Sequence, residues 1–310
     1  MSGRLDWRMA LLLSVPPLMW AGNAVVGRLM VGQIPPLALN ALRWTLAGAL
    51  LLPLAWRVLR HPEVIRIRWG YFAKLGLFGV GSYNALQYMG LHTSTPVNIT
   101  LIAASSPVWM LMIGSIVYGV RARGVQLAGA ALSLAGVALV LSRGEWARLA
   151  QIQLVPGDLL MLAAVISWGF YSWLLARPPE SMRGDARPSW NWAEFLFVQV
   201  MFGWMWGAAA AGAEQVLAPA DINWSGSVVA AIVFVAIGPS ILAYYCWGKG
   251  VAAVGPATAA FFSNLTPVFA TLLSAMLLGQ SPGWYHLAAF ALIAAGIVVT
   301  SRPVKTADAR

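Results

Sequence analysis

Asn23, Arg43, Tyr83, Gln87, Asn98, Tyr244 and Asn264 are hydrogen-bonding side chains set within long apolar stretches, and Trp20, Trp109, Trp168 and Tyr171 are large rings in similar stretches. A polar group in such a setting is costly without a partner, so each asks for a reason. Together they offer donors, acceptors and apolar ring faces with little net charge. That is chemistry for holding a small polar solute rather than for breaking its bonds. His61, His92 and His286 fall at separate predicted helix ends or loops, and no paired carboxylates lie inside an apolar stretch, so general acid–base catalysis has few candidates. The chain is not read as an enzyme. Its one cysteine, Cys246, allows neither an intrachain disulfide nor a cysteine metal cluster, and no cofactor or metal is expected.

The elements that must position these residues are membrane helices. The chain is 60% apolar and only 10% charged, with mean hydropathy +0.73, whereas soluble domains carry roughly a quarter charged residues. Apolar runs of about 20 residues, the length that crosses a bilayer, recur from Leu11 to Thr300. The start, with Arg4 and Arg8 before an apolar run, superficially resembles a signal peptide, but Leu11 to Met30 reads better as a first membrane helix. The sequence predicts ten helices, near 9–30, 36–58, 71–91, 96–119, 124–142, 157–176, 192–212, 226–248, 256–278 and 283–301. Breaks at Pro35-Pro36, Pro96, Pro156-Gly157, Pro178-Pro179, Gly255-Pro256 and Pro282-Gly283 divide them.

Of the 20 Lys and Arg residues, 16 fall on one side of a ten-helix layout, 3 on the other, and Arg43 lies inside a helix. The positive-inside rule then puts both termini in the cytoplasm. The formal charge of +10 is scattered over short loops and forms no stripe for nucleic acid.

An internal repeat at an offset of 160 matches Gly90 with Gly250, Pro96 with Pro256, Pro107 with Pro267, Gly119 with Gly279 and Gly136 with Gly296. Trp20 pairs with Trp168 at an offset of 148, the difference being absorbed by the 177–191 loop. Each half, 1–150 and 151–310, holds five helices, and an odd number makes the second half enter the membrane inverted. The expected fold is an all-α integral membrane protein of ten transmembrane helices, two inverted five-helix repeats around a central cavity.

Spacing assigns faces. Trp20 and Asn23 are three apart, as are Trp168 and Tyr171, and Tyr83 and Gln87 are four apart, so each pair shares one helix face. Ser105, Ser106 and Thr266 beside Pro107 and Pro267 have a structural reading, satisfying carbonyls that proline frees, and a cavity reading. The same two readings stand for Asn98 and Asn264, and packing competes with a cavity role for the rings. Arg43 is either a counter-charge for an anionic group or a side chain that snorkels or bonds freed carbonyls. The fifth and tenth helices are nearly bare, and Ala131/Ala135 with Ala291/Ala295 mark them as packing elements. The acidic residues lie in loops, termini or first helical turns, Asp158 and Glu194 being the deepest.

Trp20-Ala21-Gly22-Asn23, Leu42-Arg43-Trp44, the pairs Pro96/Pro107 and Pro256/Pro267, and Gly157-Asp158-Leu159, in that order, resemble the drug/metabolite transporter superfamily in its EamA-type ten-helix branch. The likeness spans residues 7 to 302. Within it the chain resembles the aromatic amino acid exporters of the YddG type. The resemblance implies a secondary transporter exporting small organic solutes, foremost neutral or aromatic amino acids, across a bacterial inner membrane by alternating access. An exporter of drugs or nucleobases on the same fold is the rival reading. A channel would need a ring of charged residues, which the sequence lacks. The expected partners are a small-molecule substrate and the lipid bilayer, with monomer and homodimer both open.

Overall fold

The computed structural model of the chain describes residues 5–94, 96–151, 153–278 and 283–301. Among these the helices are α1 (Trp7–Leu29), α2 (Pro36–Ala55), α3 (Pro62–Ile67), α4 (Trp69–Leu75), α5 (Tyr83–Thr93), α6 (Pro96–Ala104), α7 (Ser106–Tyr118), α8 (Gly124–Leu141), α9 (Pro156–Ala176), α10 (Trp192–Leu217), α11 (Gly226–Val235), α12 (Ala243–Val254), α13 (Pro256–Ser263), α14 (Thr266–Leu278) and α15 (Trp284–Ser301), with no strand. Helix starts follow local chemistry. Asp6 caps α1 by accepting from the Met9 amide at 2.7 Å, and Asn191 and Glu194 form a reciprocal capping box on α10. Proline opens α2, α9 and α13, where its missing N–H costs nothing.

By length and composition seven helical runs can cross a membrane, and an eighth can if α6 and α7, bent by 40° at Ser105, count as one span. The continuous run 69–93 and the shorter apolar α15 lie outside that number; α5 within the former carries Tyr83, Asn84, Gln87, Tyr88 and His92. Large apolar side chains face outward, with Ile116 75%, Leu159 70% and Leu287 75% exposed. In water this would be a severe liability; in lipid it is the required surface.

The expected helix limits agree with these to a few residues, with four differences. α10 continues to Leu217 through its alanine-rich end, α12 runs on to Val254 rather than ending near 248, and the basic run holds the short α3. Wide π-helical turns at Gly76–Ser82 and Ala236–Leu242 interrupt two predicted helices at positions 160 apart. Such turns loosen the backbone ladder and leave carbonyls for other donors. Ser167 Oγ donates to the Phe78 carbonyl at 2.9 Å, the Tyr244 hydroxyl donates to that of Gly79, and Ser240 Oγ donates to that of Val235 at 2.7 Å.

α8 and α15, expected to be packing elements, pack against each other, but not through the expected alanine pairs. Ala131, Ala291 and Ala295 are exposed. The close approach runs through glycine: a Cβ on Gly129 would lie 2.9 Å from the Gly296 oxygen, and one on Gly136 would lie 2.9 Å from the Ala289 oxygen. The register also shows that these helices run antiparallel. Four-residue spacing alone cannot choose which stripe of a nearly uniform apolar helix faces its neighbour.

Candidate solute-binding site

Trp168 of α9 is the hub of a buried aromatic cluster. Its ring lies 5.2 Å from Trp20, 5.2 Å from Tyr83, 4.9 Å from Tyr171, 5.4 Å from Tyr244 and 5.2 Å from Trp247, measured between centroids. Several pairs take the edge-to-face or tilted geometry that ring quadrupoles favour. The polar edges of this cluster are mostly tied down. Tyr171 donates its hydroxyl proton to Gln199 Oε1 at 3.0 Å, and Trp247 Nε1 donates to Ser172 Oγ at 3.0 Å. Trp168 Nε1, though buried, finds no acceptor among the described residues.

Cavities lie on both sides of this hub. One of about 50 Å³ touches Trp20, Tyr83, Gln87 and Trp168 and is bounded by the break between α13 and α14. Among the described residues, Asn264, fully buried at that break, finds no partner for Oδ1 or Nδ2, and Ser263 Oγ beside it finds none either. A buried amide atom without a partner costs about 1–3 kcal/mol. Thr266 Oγ1 instead donates to the Ser263 carbonyl at 2.7 Å, and Ser105 Oγ donates to that of Ile102 at 2.6 Å. The Thr266 hydroxyl thus satisfies a carbonyl freed by Pro267, whereas the Ser105 hydroxyl adds a second bond to a carbonyl that already accepts from the Ser105 amide. Ser106 lines the cavity.

The second cavity, about 270 Å³, opens at the 177–191 segment and has Tyr171, Tyr244 and Gln199 in its wall. Tyr171 and Tyr244 therefore stand between it and Trp168.

Arg43 is fully buried and does not snorkel. Its Nε and Nη2 donate to Ser240 Oγ at 2.9 and 2.7 Å, and its Nη1 donates to Tyr88 OH at 2.7 Å and Asn23 Oδ1 at 3.3 Å. Tyr88 OH donates to Asn23 Oδ1 at 2.6 Å, while Asn23 Nδ2 donates to Gln87 Oε1 at 3.2 Å and Asn84 Oδ1 at 3.4 Å. The guanidinium also lies 5.2 Å from the centre of the Trp44 ring. Among the described residues the Glu145–Arg148 ion pair and the His61–Glu63 contact both lie at exposed side chains away from Arg43, so neutral oxygens and a ring face solvate Arg43. This network joins α1, α2 and α5 to the π turn before α12.

Asn98 and Trp109 lie apart from the hub. Asn98 Nδ2 donates to the Gln153 carbonyl at 2.9 Å and to Asp158 Oδ2 at 2.8 Å, Ser94 Oγ also donates to the Asp158 carboxylate, and the Val155 amide donates to it at 2.9 Å. This seals α5 and α6 against the start of α9, where Gly90 and Gly157 bring their backbones together. Trp109 Nε1 donates to Ser105 Oγ at 3.1 Å, and its ring packs on a second core around Met30, Leu91 and Ile99. Trp20, Asn23, Arg43, Tyr83, Gln87, Trp168, Tyr171, Tyr244 and Asn264 are brought into the connected centre. Tyr88, Ser240, Ser172, Gln199 and Trp247 belong to it as well. Tyr88 and Trp247 were signalled by their polar and aromatic neighbours in sequence; Ser240 had only its place after Pro239.

Comparison with known proteins follows the same outline. The model of the EamA-like transporter family matches residues 7–142 and 155–302. The aromatic amino acid exporter YddG of Ancylobacter novellus is 26% identical over 285 residues, covering 92% of this chain and 93% of its own. The uncharacterized inner membrane transporter YedA of Escherichia coli is 26% identical over 293 residues, covering 92% and 87%. A crystal structure 25% identical in sequence superposes with a TM-score of 0.72 and covers 96% of this chain and 97% of that one.

Proposed function

This chain belongs to the EamA-like transporter family, and on that premise we propose that it exports neutral amino acids, above all those with large or aromatic side chains, across a bacterial inner membrane by alternating access. The observation that carries the reading is Asn264, a buried amide with a free donor and a free acceptor, in a cavity walled by Trp20, Tyr83 and Trp168. A zwitterion supplies an ammonium for Oδ1 and a carboxylate for Nδ2, and its side chain supplies a surface for the rings. Among the described residues no acidic side chain lines this cavity, which disfavours a cationic drug. The YddG relative, named for aromatic amino acid export, supports the same class.

The volume of about 50 Å³ admits a few waters but no amino acid. Trp168 and its neighbours must swing for a solute to pass from the larger cavity to Asn264. We take the 177–191 side, which the Lys and Arg bias assigns to the cytoplasm, as the side of solute entry; on the other side Asp158 ties α5 and α6 to the start of α9, and a cavity of about 280 Å³ lined by Arg28, Leu91, Ile99, Thr266 and Pro267 adjoins the Asn264 cavity. Ten helices in two inverted repeats account for the matching π turns and for the α8–α15 crossing. There the contact of Gly129 with Gly296 becomes that of Gly136 with Ala289 when each residue is shifted by 160. A pair of contacts that interchange in this way supports a two-fold axis between the halves, the symmetry that gives alternating access two equivalent closures.

The test is a panel of radiolabelled amino acids, nucleobases and cationic drugs in reconstituted vesicles. Saturable counterflow of phenylalanine or tryptophan is expected. Asn264→Ala should abolish it for all amino acids without lowering thermal stability, since no internal hydrogen bond is lost. Trp168→Ala should weaken tryptophan flux more than alanine flux. Robust nucleobase or drug flux with none for amino acids would establish the rival reading.

A further inference from the structure

The larger cavity has its own chemistry. Its wall carries the cations Arg187 and Lys249, both exposed, and no acidic side chain. Lys249 Nζ sits 4.7 Å from the centre of the Tyr245 ring, which lies 4.7 Å from the Trp192 ring. The nearest carboxylates lie outside this wall. Asp185 and Glu194 line the neighbouring basin that shares Arg187, and Glu194 Oε2 already accepts from the Asn191 amide at 2.7 Å. Among the described residues Lys249 has no ion-pair partner. Its place is not architectural either. The adjoining Gly250 repeats Gly90, but the repeat partner of Lys249 is Met89, so the cation exists on one side only. The inner wall is Tyr171 and Tyr244, the two rings that touch Trp168.

We propose that Lys249, assisted by Arg187, forms a loading subsite at the mouth of this cavity that takes the carboxylate of an amphipathic amino acid, while Tyr245 and Trp192 receive its side chain before Trp168 admits it to Asn264. The proposal rests on the amino acid reading above. A mouth whose own described wall carries cations and no carboxylate concentrates carboxylate-bearing solutes and repels amines. The solute is then passed from a screened, exposed charge to the buried neutral amide. That sequence favours release, because a carboxylate on a buried cation would leave slowly.

The experiment measures tryptophan counterflow in vesicles and its inhibition by tryptamine, which keeps the ring and ammonium but lacks the carboxylate. Lys249→Gln should raise the KM for tryptophan about two- to fivefold, the range an exposed charge pair supports, with little change in maximal rate. Lys249→Glu should raise it further and strengthen tryptamine inhibition, and Lys249→Arg should restore wild-type behaviour. The wild-type KM should rise with ionic strength, that of Lys249→Gln should rise less, and that of Lys249→Gln with Arg187→Gln should not rise. Wild-type tryptophan flux with KM and tryptamine inhibition unmoved in Lys249→Gln and Lys249→Glu would overturn the loading subsite alone. An equal effect on tryptophan and tryptamine would do the same, since that is a packing defect. Absence of amino acid flux in the wild type would overturn the underlying reading and the subsite with it.

Discussion

Replacing Ser240 by alanine removes one oxygen that serves two N–H groups of a buried cation. Arg43 Nε and Nη2 reach it at 2.9 and 2.7 Å, and Ser240 in turn satisfies the Val235 carbonyl at 2.7 Å. A hydrogen bond to a charged group is worth about 1.5–3 kcal/mol and an ordinary one about 1 kcal/mol. Since one oxygen cannot give two full-strength bonds, the loss should be about 3–4 kcal/mol in all. The guanidinium, with no exposed surface, has no water to turn to. Cys246, the chain's one cysteine, is 5% exposed in α12 and provides a built-in reporter. A thiol-reactive fluorogenic dye in detergent will follow its release on heating. Ser240→Ala should lower the midpoint by several degrees. Arg43→Met should also lower it, but the double variant should fall well short of the two effects added, with a coupling of about 1.5–3 kcal/mol, because removing both partners leaves no orphaned donor. Additive effects, or an unchanged midpoint in Ser240→Ala, would refute the view that this oxygen solvates the charge.

Two further outcomes are expected. In a Cys246→Ala background, cysteine placed at Ala213 should react with an impermeant thiol reagent on intact cells and cysteine at Thr306 should not; the reverse pattern would invert the proposed topology. Gly129→Ala should lower thermal stability without changing KM, because its methyl group would fall 2.2 Å from Thr300 Cγ2 and 2.9 Å from the Gly296 oxygen; a changed KM with stability intact would mean that the α8–α15 contact belongs to the transport path rather than to the scaffold.

Much of this molecule is legible one residue at a time. Apolar runs, prolines and capping residues act over a turn or two, so helix limits such as 124–142 and 157–176 lie within a residue of Gly124–Leu141 and Pro156–Ala176. The offset of 160 also belongs to the sequence, since glycine and proline mark backbone events wherever they recur. Helical spacing placed Trp20 with Asn23 and Tyr83 with Gln87 on common faces, and these residues do reach the centre. It could not tell that Trp20 turns to the rings while Asn23 turns to Arg43, because a face is broad enough to meet two neighbours. Asn98 and Asn264 looked alike, each an amide near a proline in matching helices. Tertiary structure separated them: Asp158 and the Gln153 carbonyl claim Asn98, whereas none of the described residues claims Asn264. Arg43 was the sharpest case. Its cost was plain from composition, but its solvation by Tyr88, Asn23 and Ser240 depends on three other elements, one of them 197 residues away in sequence. Periodicity records only which way a side chain leaves its own helix. Whether it meets a partner, a cavity or lipid is decided by the helices packed around it.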